Sequence, residues 1–223
     1  MKTMDKNLHI IFSKEILDED KEVKEKFISN FQTEITDFIN SIVESYQMWL
    51  KYDALIGSDR RRAFIAAFLF NAITNLSASM KMLIAGYTIP SGNLVRQTIE
   101  SICSAILCSS EQIQYYEQVE QNKFSSKSSV KLVLKHSKEF HINRNAMIGL
   151  KKLYEFYHKL SHSSSLTLGF NISVGNLGEI YLGPSFDEEK KFAYKKETVN
   201  RINLSKNITN VIEALLHPRS VTS

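Results

Sequence analysis

Glycine and proline are scarce in this chain, at eight and three of 223 residues. An antiparallel sandwich or barrel of this length needs a tight turn about every ten residues, and such turns draw on Gly and Pro. The composition therefore excludes an all-β fold and leaves helices. Cysteine occurs only twice, too few for a disulfide scaffold or a four-cysteine zinc site. Cys103 and Cys108 stand five residues apart in one expected helix, about 140° apart around its axis, so they cannot bridge each other. Free thiols, and only a short apolar run near the amino end (Leu8, Ile10, Ile11, Phe12), point to a reducing, cytoplasmic setting. A charge excess of one sign is also missing: 28 Lys and Arg face 24 Asp and Glu along the whole chain. A dedicated nucleic-acid binder concentrates its basic residues on one face instead.

What is present is an ordinary globular balance, 43% hydrophobic and 23% charged, in a chain long enough to bury a sizeable core. From 21 to 56 the apolar residues Val23, Phe27, Phe31, Ile35, Phe38, Ile42, Tyr46 and Trp49 recur at steps of three and four. That spacing predicts one long amphipathic helix, introduced by Asp18, Glu19 and Asp20 and ended by Gly57, with Ser58 capping the next. A second helix is expected over 60–85, closed by Gly86, with 87–92 as a connection to a third over 93–108. A polar stretch follows over 111–121, then a Ser/Lys loop over 124–129 and helices over 130–140 and 143–163.

After Ser163, Ser164 and Ser165 the residues 166–174 and 179–182 have strand character around Gly175-Asn176-Leu177-Gly178, a hairpin signal. A final helix runs from Asp187 to Leu216, and Pro218 stops it. The expected fold is mainly α: one domain over 1–223, an antiparallel helical bundle with a long first helix, an N-terminal extension over 1–18, and a small β-hairpin insertion over 166–183 before the last helix. The apolar face of that last helix offers a surface for a second subunit, so a homodimer is expected. The segment 63–85 is largely apolar with one charge, Lys81, but carries Asn71, Thr74, Asn75, Ser77 and Ser79. It reads as a buried central helix without stable membrane insertion.

Phosphate loops, dinucleotide fingerprints, nucleophile elbows and clustered cysteines are all lacking, and no cofactor or metal is implied. His158 and His162 stand one helical turn apart, but Lys159, Leu160 and Ser161 lie between them where a zinc protease carries its Glu. His136 and His141 lie upstream. Arg96 and Glu100 flank an apolar stripe at i and i+4, which makes them either a register-fixing ion pair or an anion-facing Arg held by a carboxylate. Arg60, Arg61 and Arg62 form the one basic run, at a helix start where the dipole disfavours it.

Three stretches occur in order: Gly86 followed by Leu94-Val95-Arg96-Gln97-Thr98-Ile99-Glu100, then Tyr154 to His162, then the hairpin and closing helix. This order resembles bacterial helical proteins of uncharacterised function and, more distantly, the HEPN helical bundles, many of which are ribonucleases, toxins or phage-defence components. The resemblance implies metal-independent RNA cleavage, with Arg96, His158 and His162 as catalytic candidates. The HEPN pattern of an Arg four to six residues before a His is not met, since the nearest upstream Arg is Arg144. Beside it stands the expectation of a homodimeric interaction or ligand-binding protein whose polar inter-helix site uses Arg96, Glu100, Tyr154 and His158. Its partners are then a second copy or another protein, and RNA under the nuclease alternative.

Overall fold

A computed structural model describes residues 6–17, 20–124, 126–140, 144–162, 164–175, 179–181 and 183–217. Among them are α1 (Lys6–Leu17), α2 (Lys21–Asp53), α3 (Arg60–Ile84), α4 (Thr88–Ser109), α5 (Tyr115–Glu120), α6 (Ser126–Lys135), α7 (Arg144–Leu160), α8 (Ser165–Asn171) and α9 (Lys191–Leu216), the last entered through a 3-10 turn over Glu188–Lys190. The protein is mainly α, and the described residues form no strand.

α3 and α4 pack most extensively, and α2 packs along α9. Every residue from Thr98 to Cys108 on α4 is buried, as expected of a helix that is apolar nearly all round and enclosed by neighbours. Each fully buried side chain such as Ile99, Ile102 or Leu107 stabilises the fold by roughly 1.5–3 kcal/mol. Ser101, Ser104 and Ala105 keep α4 slim enough for close approach on all sides. α3 is long and apolar enough to cross a membrane by length and composition. Here its Ile65, Leu69, Ile73, Leu76, Met80 and Leu83 lie in the core.

Several expectations are corrected. The long helix is the second rather than the first, because Leu8, Ile11, Phe12 and Ile16 have helical spacing and α1 forms over Lys6–Leu17, within the expected N-terminal extension. Asp59 caps α3, its side chain accepting from the Arg62 amide at 3.0 Å, rather than Ser58. α4 begins at Thr88, since Pro90 falls in a first turn whose amides have no helical partner to lose. Part of the expected Ser/Lys loop belongs to α6.

The β-hairpin over 166–183 is not seen. Ser164 accepts from the Thr167 amide at 3.2 Å and caps α8 where alternation predicted a strand. At its other end Lys190 Nζ donates to the carbonyls of Phe170 and Ile172 at 3.2 and 2.5 Å, a cation where the helix dipole favours one. What remains is an isolated antiparallel bridge between Ile172 and Ile180. Residues 176–178 of the expected turn, Leu182, His141, Asp18, Glu19, Ser163 and Pro218 lie outside the described residues.

The apolar face of α9 does not await another subunit. Leu204, Ile208 and Ile212 are buried in the chain's own core. The α2–α9 contacts advance together along both helices, Phe27 with Tyr194 and Ser45 with Ser205 and Thr209, so these two helices run in the same direction.

Two glycines set the spacing around α4. Gly86 ends α3 at φ +86°, and a Cβ there would lie 2.7 Å from Val23 Cγ1 and 2.8 Å from the Ser185 amide nitrogen. A Cβ on Gly92 would lie 2.7 Å from Leu160 Cδ1 and 3.2 Å from Tyr157 Cδ1. The missing side chain at Gly92 lets α7 lie directly on α4.

Candidate functional site

The close approach at Gly92 sets the register of α7 on α4. One residue on, Ser161 Oγ donates to Asn93 Oδ1 at 2.6 Å. Two turns further along α4, Tyr154 OH donates to Glu100 Oε1 at 3.0 Å. Arg96, one turn before Glu100 on the same helix, places Nε 3.9 Å from the same oxygen, an ion pair beyond hydrogen-bond distance. The His158 ring stacks on Tyr154 with centroids 5.9 Å apart, and His162 meets His158 edge-on at 4.7 Å. Arg96, Glu100, Tyr154 and His158, expected as one inter-helix site, are therefore linked through the α4–α7 contact. His162 lies at its exposed rim.

Glu100 is buried, and Ser129 of α6 donates to its backbone carbonyl at 3.4 Å. Burial first, and the neighbouring Glu100 carboxylate second, push the Tyr154 phenol up to about 12. It is thus a protonated donor at neutral pH. Arg96 Nε is buried, and the Arg96 guanidinium makes no hydrogen bond among the described residues. A buried donor left in this state carries a desolvation cost of about 1–3 kcal/mol, which an anionic ligand on the guanidinium would offset. Cys103 lies buried one turn beyond Glu100 on α4. Burial, then Glu100, pushes its thiol up to about 12, which keeps it protonated and unreactive as a nucleophile.

The remaining polar signals are spent on structure. Arg61 donates to Ser110 O at 2.7 Å and to Glu117 Oε1 at 2.8 Å, with its guanidinium 4.7 Å over the Tyr116 ring. Arg60 pairs with Glu120 and Arg62 with Asp59. The basic run thus ties the start of α3 to the carboxyl end of α4 and to α5, where its charge suits the dipole. His136 contacts Glu139 at 2.8 Å and takes no part in the α7 cluster. Among the described residues no three His, Cys, Asp or Glu side chains are grouped to hold a metal ion.

A second polar cluster escaped the sequence reading. Arg201, fully buried, donates to Glu197 Oε2 at 2.9 Å, to Glu197 O at 2.7 Å, to Ser79 Oγ at 3.0 Å and to Ser91 Oγ. Tyr157 OH donates to the same Glu197 oxygen at 2.8 Å, and burial drives its phenol well above the ordinary range. The signal was present: Tyr194, Glu197, Arg201, Leu204 and Ile208 recur at steps of three and four, so a charged pair sits on the apolar stripe of α9. Each nitrogen of the Arg201 guanidinium and the Tyr157 hydroxyl donates to a protein acceptor, which makes the cluster an internal brace rather than a receptor.

In comparisons with known proteins, no family model, curated protein or solved structure matches this chain.

Proposed function

We propose that this is a cytoplasmic, self-associating helical protein that binds an anionic group at the α4–α7 cluster, with Arg96 as the recognition residue. The supporting observation is the division of labour around Glu100. Its carboxylate is already met by the Tyr154 hydroxyl at 3.0 Å, while the Arg96 guanidinium stands 3.9 Å off with its hydrogen-bonding capacity unspent. Glu100 and Tyr154 position the cation, and His158 and His162 continue the cluster outward from Tyr154. The bundle is read as antiparallel where helices adjoin in sequence. Contacts of Ser91 with Ser79, Ser101 with Asn71 and Ser110 with Arg61 advance along α4 as they retreat along α3.

Titration calorimetry with inorganic phosphate tests the reading. The expected result is saturable binding by the wild-type chain and at least about a tenfold weaker affinity, some 1.4 kcal/mol, in Arg96→Ala. A silent wild-type titration, or equal affinity in the variant, refutes it.

A second reading has its own observation, namely that an Arg and a His from facing helices are joined through Glu100 and Tyr154. In a metal-independent, HEPN-like RNA cleavage His158 would move a proton and Arg96, supplied from the facing helix rather than from four to six residues upstream, would stabilise phosphate charge. It predicts cleavage of single-stranded RNA in the presence of a chelator, abolished by His158→Ala. Intact RNA after incubation with the wild-type protein dismisses it.

A further inference from the structure

Among the described residues, two runs of exposed apolar side chains at helical spacing stand out. On α2, Ile39, Val43, Tyr46 and Leu50 recur at steps of four, three and four and are each 42–52% exposed. Phe70 of α3, 41% exposed, extends this stripe, its ring 4.9 Å from Trp49, which in turn stacks on Tyr46 at 5.5 Å. The second surface is α1, where Ile11, Phe12 and Ile16 share one face and are 48–75% exposed. Among the described residues α1 has no extensive packing against another helix. A helix of 12 residues is marginal in water without a surface to pack on, the threshold lying at about 12–15 residues.

The chain can bring its own α1 only to Ile39 at the near end of the stripe, about 27 Å along α2 from Lys21, and not to the rest of it. Folded back along α2, α1 spans about 18 Å, and the three residues 18–20 add at most about 10 Å. Val43, Tyr46 and Leu50 lie roughly 33, 38 and 44 Å along α2 from Lys21 at the same rise per residue. Between two copies the lengths match, since Ile39 to Leu50 covers about 16 Å. The five stripe residues expose on the order of 500 Å² of side chain, which is the apolar share of a standard interface of roughly 800 Å² per partner.

We propose that the protein is a two-fold dimer in which α1 of each copy lies on the Ile39–Val43–Tyr46–Leu50 stripe of the other. This gives a surface to the self-association proposed above. Two-fold symmetry uses the pair of surfaces twice and leaves none over.

The test is molecular mass by light scattering across a concentration series. It covers the full wild-type chain, Ile11→Asp/Phe12→Asp, Val43→Asp/Leu50→Asp, and an equimolar mixture of the two variants. Wild type is expected at twice the chain mass of 25.6 kDa. Each variant is expected at the single mass with the helical circular dichroism of the bundle retained and at most the share of α1 lost, because the substituted side chains are about half exposed and α1 is then without a surface to pack on. The mixture is expected to regain dimer mass at the upper end of the concentration series, since one of the two contacts is then intact, α1 of the second variant on the stripe of the first. A monomeric wild type overturns self-association itself. A dimeric wild type overturns only this assignment of surfaces if the α1 variant stays dimeric or if the mixture stays monomeric.

Discussion

Replacing Arg201 with Met asks what holds α9 to the core. The substitution keeps the length and most of the volume of the side chain but removes every guanidinium donor of the brace. Glu197 Oε2 loses the guanidinium at 2.9 Å and keeps only the Tyr157 hydroxyl at 2.8 Å; Ser79 Oγ loses its donor, while Ser91 still donates to Ser79 O at 2.7 Å. The main loss is therefore a carboxylate left buried without its cation, a change that destabilises by about 3–5 kcal/mol. For a chain of this length that lowers Tm by about 10 °C. Neutralising the orphan should restore most of it: in Arg201→Met/Glu197→Gln the amide oxygen still accepts from Tyr157, and the expected deficit shrinks to about 1–2 kcal/mol. The single variant should also gain a pH dependence. A carboxyl buried without a cation binds its proton more tightly folded than unfolded, so the variant loses stability as pH rises above about 4. Denaturant unfolding followed by circular dichroism measures all three. The reasoning fails if Arg201→Met costs less than about 1 kcal/mol, or if the double variant is no better than the single one.

Gly92→Ala should cost roughly 1–3 kcal/mol by overpacking, because its Cβ would lie 2.7 Å from Leu160 Cδ1 and 3.2 Å from Tyr157 Cδ1. Part of the loss should return when Leu160 is shortened to Val, a coupling that denaturant melts of the four chains would report. Alkali should unfold the protein through its buried phenols: burial raises Tyr52, Tyr154 and Tyr194 from the ordinary 10.0 to about 12. Above pH 10 the unfolded chain releases protons that the folded chain retains, so stability is intact below 10 and falls as pH climbs toward 12. Phenolate absorbance of these residues should rise together with the loss of helical signal, and their ionisation near pH 10 in a still-folded protein would contradict the burial argument.

The long helices were legible because one-sided burial leaves a period in the sequence. Phe27, Phe31 and Phe38 of the expected stripe on α2 are buried, whereas Tyr46 of the same stripe is 42% exposed and Ser41, Ser45 and Tyr52 take the inward positions. The segment after residue 163 was misread because alternation in 166–174 mimics a strand, whereas the outcome turns on two contacts that periodicity does not encode. Those are the Ser164 cap and a lysine nineteen residues beyond α8's last residue that meets its terminal carbonyls. The residue types of the α4–α7 cluster were legible at helical spacing, but their meeting in space was not. The partners that hold it, Ser129 on the Glu100 carbonyl and Asn93 on Ser161, depend on register between helices, which a single sequence does not display. Arg201 was passed over for another reason: an apolar stripe is scored by its apolar members, and a charge within it looks like a gap.

That gap bears on the candidate site through α7. Tyr154 and Tyr157, three residues apart, donate to two different buried carboxylates, Glu100 on α4 and Glu197 on α9. Tyr157 is held by the Arg201 brace and by the bare backbone at Gly92, and Ser161 is held by Asn93. With α7 fixed at these points, Tyr154 has little freedom to follow Glu100, and Glu100 little freedom to swing toward Arg96. A helix-fixing ion pair would close to hydrogen-bond distance. Here the carboxylate is retained by the tyrosine, and the guanidinium stands 3.9 Å away with its Nε buried. A ligand anion arriving at Arg96 meets a donor already placed and a counter-charge already engaged, so little ordering entropy is lost on binding. On the proposed reading, that separates a pre-formed recognition site from a register pair and places its support in the core brace rather than at the surface.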